Sequence, residues 1–548
     1  MTERRRKFWG WGWEDEALSP EEQRTIETVW PKRFGLSAFE IIPPPTAEEI
    51  ILRQPRIEIP ATLQDICTTD QYERLAHCYG QSCADSIRAF NRDFPNPPDV
   101  IACPRNEQQI ADLFDWCGDH NVAAVPYGGG STVVHGIEPP HPDAGSHRAV
   151  VTIDLRHFDQ VLEIDPVSQA ARIQGGTFGP ALERQLKPSG LTLRHYPQSF
   201  EFSTLGGWIA TRSGGHFATN YTHIDDLVES IRMVTPNGVI ETRRLPGSGA
   251  GPSPDRLLIG SEGIYGIITE AWMRIRRRPT FRATTTVRFS DYYRAVDAVR
   301  VISQSGLFPA NCRLLDAEEA AMSGAGDGRH SLLILAFESA DHPLDAWISR
   351  ALEICRDYGG EYDVSSLASQ DSYREGAAGA WRKAFMRMCY LREQMTARSV
   401  ICETFESAIT WERFRDFHTN IKDAVHQAIR EITGRSGFVT CRFTHVYPDG
   451  PAPYFTFLAM SNRGQMLDQY HAIRKAAGDA VIRCGGTITH HHAVGRFHRP
   501  QYDQQRPELF AQAMRAAKLQ LDPHWIMNPG VLIDRDSDKS GTTFLSKP

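Results

Sequence analysis

Apolar and polar positions follow two periods along the chain. Between Glu107 and Cys117, Ile110, Leu113, Phe114 and Cys117 fall at i, i+3, i+4 and i+7, the spacing of one buried helix face. A short apolar run at Val100–Ala102 predicts a strand before this helix, and Val122–Val125 predicts one after it. Three brief alternating runs, Ala149–Leu155, Gln160–Ile164 and Ala171–Ile173, predict neighbouring strands of a second sheet, and Gly179–Leu186 a short helix. From Thr280 longer elements take turns. Helices are expected over Tyr292–Ser303, Leu344–Asp357, onward from Trp411, and over Met466–Arg483, with strands at Leu332–Phe337, Val400–Phe405, Phe438–Val446 and Tyr454–Met460. This mixture predicts an α+β protein.

The strand at Val122–Val125 runs into Pro126-Tyr127-Gly128-Gly129-Gly130-Ser131-Thr132, with Gly136 just beyond. Consecutive glycines open dihedrals closed to other residues and let successive N–H groups converge on an anion. The loop therefore has two readings, a plain tight turn and a phosphate or pyrophosphate cradle. Neither Gly-x-Gly-x-x-Gly nor Gly-Lys-Ser/Thr follows, which argues against a nicotinamide Rossmann site and a nucleotide-triphosphate loop. Two more stretches of small and hydroxyl residues stand downstream. One is Gln198-Ser199-Phe200-Glu201-Phe202-Ser203-Thr204, leading to Thr211-Arg212-Ser213-Gly214; the other is Glu262-Gly263-Ile264-Tyr265-Gly266-Ile267-Ile268.

At 548 residues the chain is long for one core, so two or three domains are expected. A charged fraction of 23% beside 41% hydrophobic residues describes a soluble globular protein, and a net charge of −7 leaves no electrostatic footprint for nucleic acid. No apolar run approaches the ~20 residues that span a bilayer. Eleven scattered cysteines without a Cys-x-x-Cys point to reduced thiols in a cytosolic setting. The N-terminus lacks the apolar stretch of a secretory signal. It carries instead Arg4-Arg5-Arg6-Lys7, then Trp9, Trp11 and Trp13. That segment suits a membrane surface or packing of the tryptophans onto the body, and its shortness favours packing.

The sharpest feature of the second half is His490-His491-His492. Three imidazoles are candidate metal ligands, but neighbouring residues point different ways and no carboxylate or thiolate stands at ligand spacing, so hydrogen bonding and acid–base work are preferred and no metal is expected. In Tyr454-Phe455-Thr456-Phe457, strand alternation puts Tyr454 and Thr456 on one face, where Tyr454 reaches a pocket or fills core.

The three glycine-rich stretches, in this order, resemble the flavin domain of the vanillyl-alcohol oxidase superfamily over about Pro98–Arg278. Nearly the whole chain resembles the alkylglycerone-phosphate synthase (alkyl-dihydroxyacetonephosphate synthase) family within it. Further carriers of that resemblance are Trp9-Gly10-Trp11-Gly12-Trp13-Glu14-Asp15, Arg313-Leu314-Leu315-Asp316, Leu391-Arg392, Glu403-Thr404-Phe405-Glu406-Ser407 and the closing Leu519–Gly530. It implies an N-terminal extension at 1–93, a two-subdomain FAD-binding domain (PCMH type) at 94–279, an α+β substrate or cap domain at 280–500, and a segment at 501–548 that returns to the flavin domain. It also implies FAD held by the three stretches quoted, catalytic roles for Tyr454, His490, His491, His492 and His195, substrate contacts from Arg392 and Arg313, and a homodimer.

The activity implied is exchange of the acyl group of acyl-dihydroxyacetone phosphate for a long-chain fatty alcohol, giving an alkyl ether and a fatty acid with no net redox change. In the implied mechanism a base removes a proton α to the ketone, flavin N5 captures C1 as an adduct, carboxylate leaves, and the alcohol attacks. Tyr454 suits the proton transfer if nearby histidines and arginines lower its pKa. Arginine suits phosphate and carboxylate because its planar fork binds oxyanions bidentately, a salt bridge being the other use for each.

The chain departs from the family pattern at Ser213–Asn220, which is less basic, and at His498, near a position usually basic. Arg212-Ser213-Gly214-Gly215-His216 is similar to the covalent attachment motif of related oxidases, but it lies downstream of the phosphate loop, where Ser131 stands, so noncovalent FAD is expected. The ending Ser546-Lys547-Pro548 is no peroxisomal address, which suggests a cytosolic or membrane-peripheral enzyme. Two other classes remain open: an FAD-dependent dehydrogenase of a 2-hydroxy acid or related alcohol, and a membrane-associated flavin binder with little catalysis.

Overall fold

A computed structural model describes residues 4–16, 18–140, 147–363, 376–462 and 464–535; the chain's last three residues lie outside them. Ala149–Asp154 runs between Val100–Ala102 and Val122–Tyr127, parallel to both, and Cys67–Thr68 closes one edge antiparallel. This corrects the expectation that Ala149–Leu155 opens the second sheet. Every residue of Ala149–Asp154 is buried, as in a strand covered on both faces, so its alternation carries no information about which sheet it joins. The helix Glu107–His120 covers this sheet with Ile110, Leu113, Phe114 and Cys117. Asn106 caps its start by accepting from the Gln109 N–H at 3.0 Å, and Asn121 ends it in the left-handed region at φ 53°.

The second sheet is antiparallel, in the order Val161–Asp165, Ala170–Gln174, Ile267–Arg274, Val228–Thr235, Gly238–Glu241. The helices Gly179–Leu186 and Leu205–Thr211 bury Leu182, Leu186, Leu205, Trp208 and Ile209 in its core.

The third sheet is also antiparallel, in the order Phe281–Phe289, Ser331–Ser339, Asn311–Leu315, Phe438–Val446, Pro451–Met460, Val400–Glu406. One face carries Phe405, Phe443, Phe455 and Phe457 into a core shared with the helices Tyr292–Gln304, Asp345–Asp357, Trp411–Thr433 and Met466–Arg483. Alternation then gives the other face Thr404, Glu406, Thr440, Arg442, Tyr454 and Thr456. Several elements escape the periodic reading, among them the strands Phe281–Phe289 and Asn311–Leu315 of this sheet, and the helix Gly376–Thr396, whose apolar residues gather on no single face.

Segments toward both ends of the described residues are tied to this body. Trp11 is buried, and the Lys7 ammonium pairs with Glu393 at 2.5 Å. Near the other end, the Ala124 N–H donates to the Ile526 carbonyl and the Asn528 N–H to the Ala124 carbonyl, both at 2.8 Å, so this segment lies along the first sheet. Among the described residues no helix is long and apolar enough to cross a membrane.

Candidate active site

One cavity has the glycine-rich stretches on one wall and the polar face of the third sheet on the other. Of the residues singled out from the sequence, Pro126, Tyr127, Gly128, Gly129, Gly130, Ser131, Thr132, Gln198, Ser199, Ser203, Thr204, Thr211, Ser213, Gly214, Glu262, Gly263, Gly266, Ile267 and Ile268 line it. Six others are not part of the lining. Ile264 and Tyr265 are core residues, and Phe202 packs edge-on beneath Trp11 at 6.2 Å. Phe200 stacks on Trp208 at 6.2 Å, Glu201 accepts a hydrogen bond from the Tyr390 hydroxyl, and Arg212 pairs with Asp225 at 2.8 Å.

The glycine walls are interlocked at backbone distance. A Cβ on Gly129 would stand 1.9 Å from the Phe202 carbonyl oxygen, and one on Gly128 2.2 Å from Thr204 Oγ1. Thr204 Oγ1 and Ser261 Oγ, both on residues of this wall, are buried without a hydrogen-bond partner. A narrow, backbone-walled cleft with unsatisfied hydroxyls fits the extended phosphate-linked body of FAD.

On the opposite wall the sheet register sets Arg442, Tyr454 and Glu406 in one row across three strands. The Tyr454 hydroxyl donates to Thr404 Oγ1 at 2.9 Å, and the Arg442 guanidinium lies 3.9 Å from the centre of its ring. Burial raises the Tyr454 pKa above that of an ordinary phenol, against Arg442, Thr404 and Arg392, which lower it. The expectation that neighbours depress this pKa is therefore reversed: the ring is a neutral phenol at pH 7.

Arg313, Arg392 and Arg442 all line the cavity. Arg392 donates to the Gln81 carbonyl at 2.6 Å and pairs with Glu403 at 3.3 Å. Burial, then the charge of Arg442, bring the Arg313 pKa down to about 9. Arg442 is fully buried; its Nη1 donates to Glu319 at 2.5 Å, while Nε and Nη2 have no hydrogen-bond partner.

Glu406 organises the histidines. Its buried carboxylate accepts from Thr489 Oγ1 at 2.7 Å and from the backbone N–H groups of His490, His491 and His492 at 2.5, 3.0 and 2.9 Å. Burial opposes its charge, yet His491 and these donors hold it well below the ordinary glutamate range. Burial also lowers the pKa of His490, His491 and His492, so the rings are neutral at pH 7. His491 and His492 line the cavity, the His491 ring stacked on Tyr454 with centres 5.9 Å apart; His490 stands behind them. Ligand atoms of His445, His490 and His491 fall within 4.8 Å of one another, but His445 Nε2 already meets the Gly215 carbonyl at 2.9 Å and His490 Nε2 the Tyr447 hydroxyl at 2.7 Å.

His195 is buried outside the lining, with Nε2 3.3 Å from Ser213 Oγ; burial brings its pKa to about 3. His498 is buried too, between the Ala493 carbonyl and Arg474, each at 3.0 Å. Sequence reasoning gave no role in the cavity to Arg442, Glu406, Thr404, His445 or Trp11. The first three carry a usable signal, a charged or hydroxyl residue at the same parity as Tyr454 in otherwise apolar strands.

Residues 98–243 match the FAD binding domain family, and residues 278–532 match the family of C-terminal domains of FAD linked oxidases. Alkyldihydroxyacetonephosphate synthase of Dictyostelium discoideum is 30% identical over 535 residues, 94% of this chain and 86% of that protein. A glycolate oxidase subunit of Bacillus subtilis is 26% identical over 490 residues, 86% of this chain and 98% of that one. A solved structure of alkyldihydroxyacetonephosphate synthase superposes with a TM-score of 0.78 at 26% identity, covering 96% of this chain and 97% of its own. The cofactor of this chain is FAD.

Proposed function

The chain belongs to the alkyldihydroxyacetonephosphate synthase family, and on that premise we propose that it exchanges the acyl group of an acyl-dihydroxyacetone phosphate for a long-chain fatty alcohol. The observation that carries this reading is the cavity itself, which joins a flavin cradle to three arginines, a phenol and two neutral imidazoles. The Arg442 guanidinium, paired with Glu319 through Nη1, keeps Nε and Nη2 buried and unpaired, two donors that are costly until met, and the substrate phosphate or the departing carboxylate can meet them.

FAD, when bound, supplies a reversible electrophile and electron sink beside the substrate ketone. Around it this chain's residues have separate tasks. Arg313, Arg392 and Arg442 hold the substrate's oxyanions and draw charge toward the carboxylate that leaves. Tyr454, as a phenol in contact with the substrate, passes a proton between the carbon α to the ketone and the neutral His491 or His492. Thr404 aims its hydroxyl. Burial of this wall excludes water, which would otherwise compete with the alcohol. We take the FAD as noncovalent, because His216 is outside the cavity lining and packs on Tyr196 at 5.1 Å. We also hold to a flavin unit at 94–279 and a substrate unit at 280–500, a division supported by the separate cores of the second and third sheets.

The test is an anaerobic flavin spectrum of the purified protein with palmitoyl-dihydroxyacetone phosphate, then with hexadecanol, while product is followed by mass. Bleaching by the ketone phosphate, followed by recovery and ether formation on adding alcohol, is expected. Tyr454→Phe should slow both phases. Lasting bleaching by a 2-hydroxy acid, with no response to the ketone phosphate, would replace this reading with the dehydrogenase that the glycolate oxidase match also allows.

A further inference from the structure

His223 meets the histidine triplet from the side away from the cavity. Its Nδ1 is 3.1 Å from the Arg212 carbonyl oxygen, which only accepts, so in the neutral ring Nδ1 carries the proton and Nε2 the lone pair. His490 Nε2, 3.1 Å from His223 Nε2, must then donate, which leaves His490 Nδ1 as an acceptor. His491 Nδ1, 3.1 Å from it, donates in turn, and the last lone pair falls on His491 Nε2. The single His490 Nε2–H is shared between His223 Nε2 and the nearer Tyr447 oxygen at 2.7 Å, and the Tyr447 hydroxyl then donates to Thr222 Oγ1 at 3.1 Å. One carbonyl oxygen thus sets the direction of three consecutive imidazoles. The inner ring lines the cavity and the outer one, His223, is half-buried.

We propose that His491, His490 and His223 form a proton relay from the cavity to solvent, with His223 as the positioning residue at its outer end. The proposal rests on the exchange reaction just described. There the C1–O bond to the acyl group breaks with its electron pair leaving on the carboxylate, and a C1–O bond to the alcohol forms. The α proton is removed and returned, so the alcohol O–H proton is the net product to be exported, one per turnover, and no oxidant or reductant takes part. Arrival of that proton at His491 Nε2 pushes the Nδ1 proton to His490 Nδ1 and the His490 Nε2 proton to His223 Nε2; His223, now carrying protons on both nitrogens, gives its Nδ1 proton to water when that edge parts from the Arg212 carbonyl, and rotation of the neutral rings restores the starting tautomers. Glu406, 3.6 Å from His491 Nδ1, steadies the passing charge. The relay gives His490 a task although it does not line the cavity.

Two measurements on the FAD-loaded full chain test this. In His223→Ala, turnover should fall by about tenfold to a hundredfold with the KM for each substrate unchanged, the solvent deuterium effect should rise, and added imidazole should restore the rate. A purely structural role for His223 gives no imidazole rescue. Independently of activity, nitrogen NMR of histidine-labelled enzyme should find His490 protonated at Nε2 and His491 at Nδ1. Unchanged turnover in His223→Ala, loss without rescue, or the opposite tautomers would overturn the relay. Wild-type enzyme that makes no ether refutes the exchange reading instead, and the tautomers still decide whether the relay exists.

Discussion

Substituting Gly129 with alanine tests whether backbone interlock builds the flavin cradle. The new Cβ would stand 1.9 Å from the Phe202 carbonyl oxygen, 2.7 Å from its carbonyl carbon and 2.8 Å from Ser203 Cα. All three are main-chain atoms, so no side chain can swing aside. Ordinary contact begins at 3.4 Å, and the two loops must separate by the difference between 1.9 and 3.4 Å, about 1.5 Å at this point. Overpacking of this kind costs about 1–3 kcal/mol when structure yields elsewhere. If the loops yield by opening the cradle, that cost appears as an FAD dissociation constant about 5- to 150-fold higher. The assay is the flavin-to-protein absorbance ratio of purified protein, followed by FAD titration of the stripped form. Gly207→Ala is the control: it lies on the same cavity wall, but its Cβ would meet Thr204 Oγ1 at 3.4 Å, so FAD affinity should stay within about twofold. Gly129→Ala that keeps FAD as tightly as wild type would refute the interlock as the basis of the site.

Arg442→Gln should raise the KM for the ketone phosphate about 10- to 150-fold, the worth of one charge-assisted contact, with the KM for the alcohol and the FAD content unchanged; steady-state kinetics with each substrate varied checks it. Glu406→Gln turns one acceptor oxygen into a donor facing backbone N–H groups, so it should cost about 2–4 kcal/mol and most of the turnover. Because the folded Glu406 pKa lies below its unfolded value, the wild-type advantage is full above the ordinary glutamate range and shrinks as pH falls through and below it; denaturant titrations of both proteins between pH 3 and pH 7 read this out. Lys7→Met strips the counter-charge from buried Glu393 and should destabilise the N-terminal segment by about 3–5 kcal/mol, seen as faster tryptic cleavage around Arg6 with the rest of the chain intact.

How much the sequence reveals differs by element. Helices with one apolar face, such as Met466–Arg483, and strands in which apolar and polar residues alternate, such as Phe438–Val446, agree with the structure because the alternation separates the face on the apolar core from the polar face. Ala149–Asp154, covered on both faces, hides its sheet, and Gly376–Thr396, which carries Arg392, hides its helix because no single face is apolar. At the site, the glycine stretches and Tyr454 are visible from residue types alone. The fate of the Tyr454 proton is not, since it depends on burial outweighing three nearby groups. Glu406 and Arg442 are visible only as polar residues at the parity of Tyr454, their roles coming from cross-strand register, and His223 is hidden, because its role comes from contacts with the Arg212 carbonyl and the distant His490.

The most direct test of the account follows the alcohol oxygen. FAD-loaded protein is given palmitoyl-dihydroxyacetone phosphate and hexadecanol labelled with heavy oxygen, without any electron acceptor, and ether and palmitate are weighed by mass spectrometry. The account predicts one labelled ether for each unlabelled palmitate released, over many turnovers. Palmitate without ether, label in the palmitate, or turnover that halts after one equivalent until an acceptor is added would contradict it.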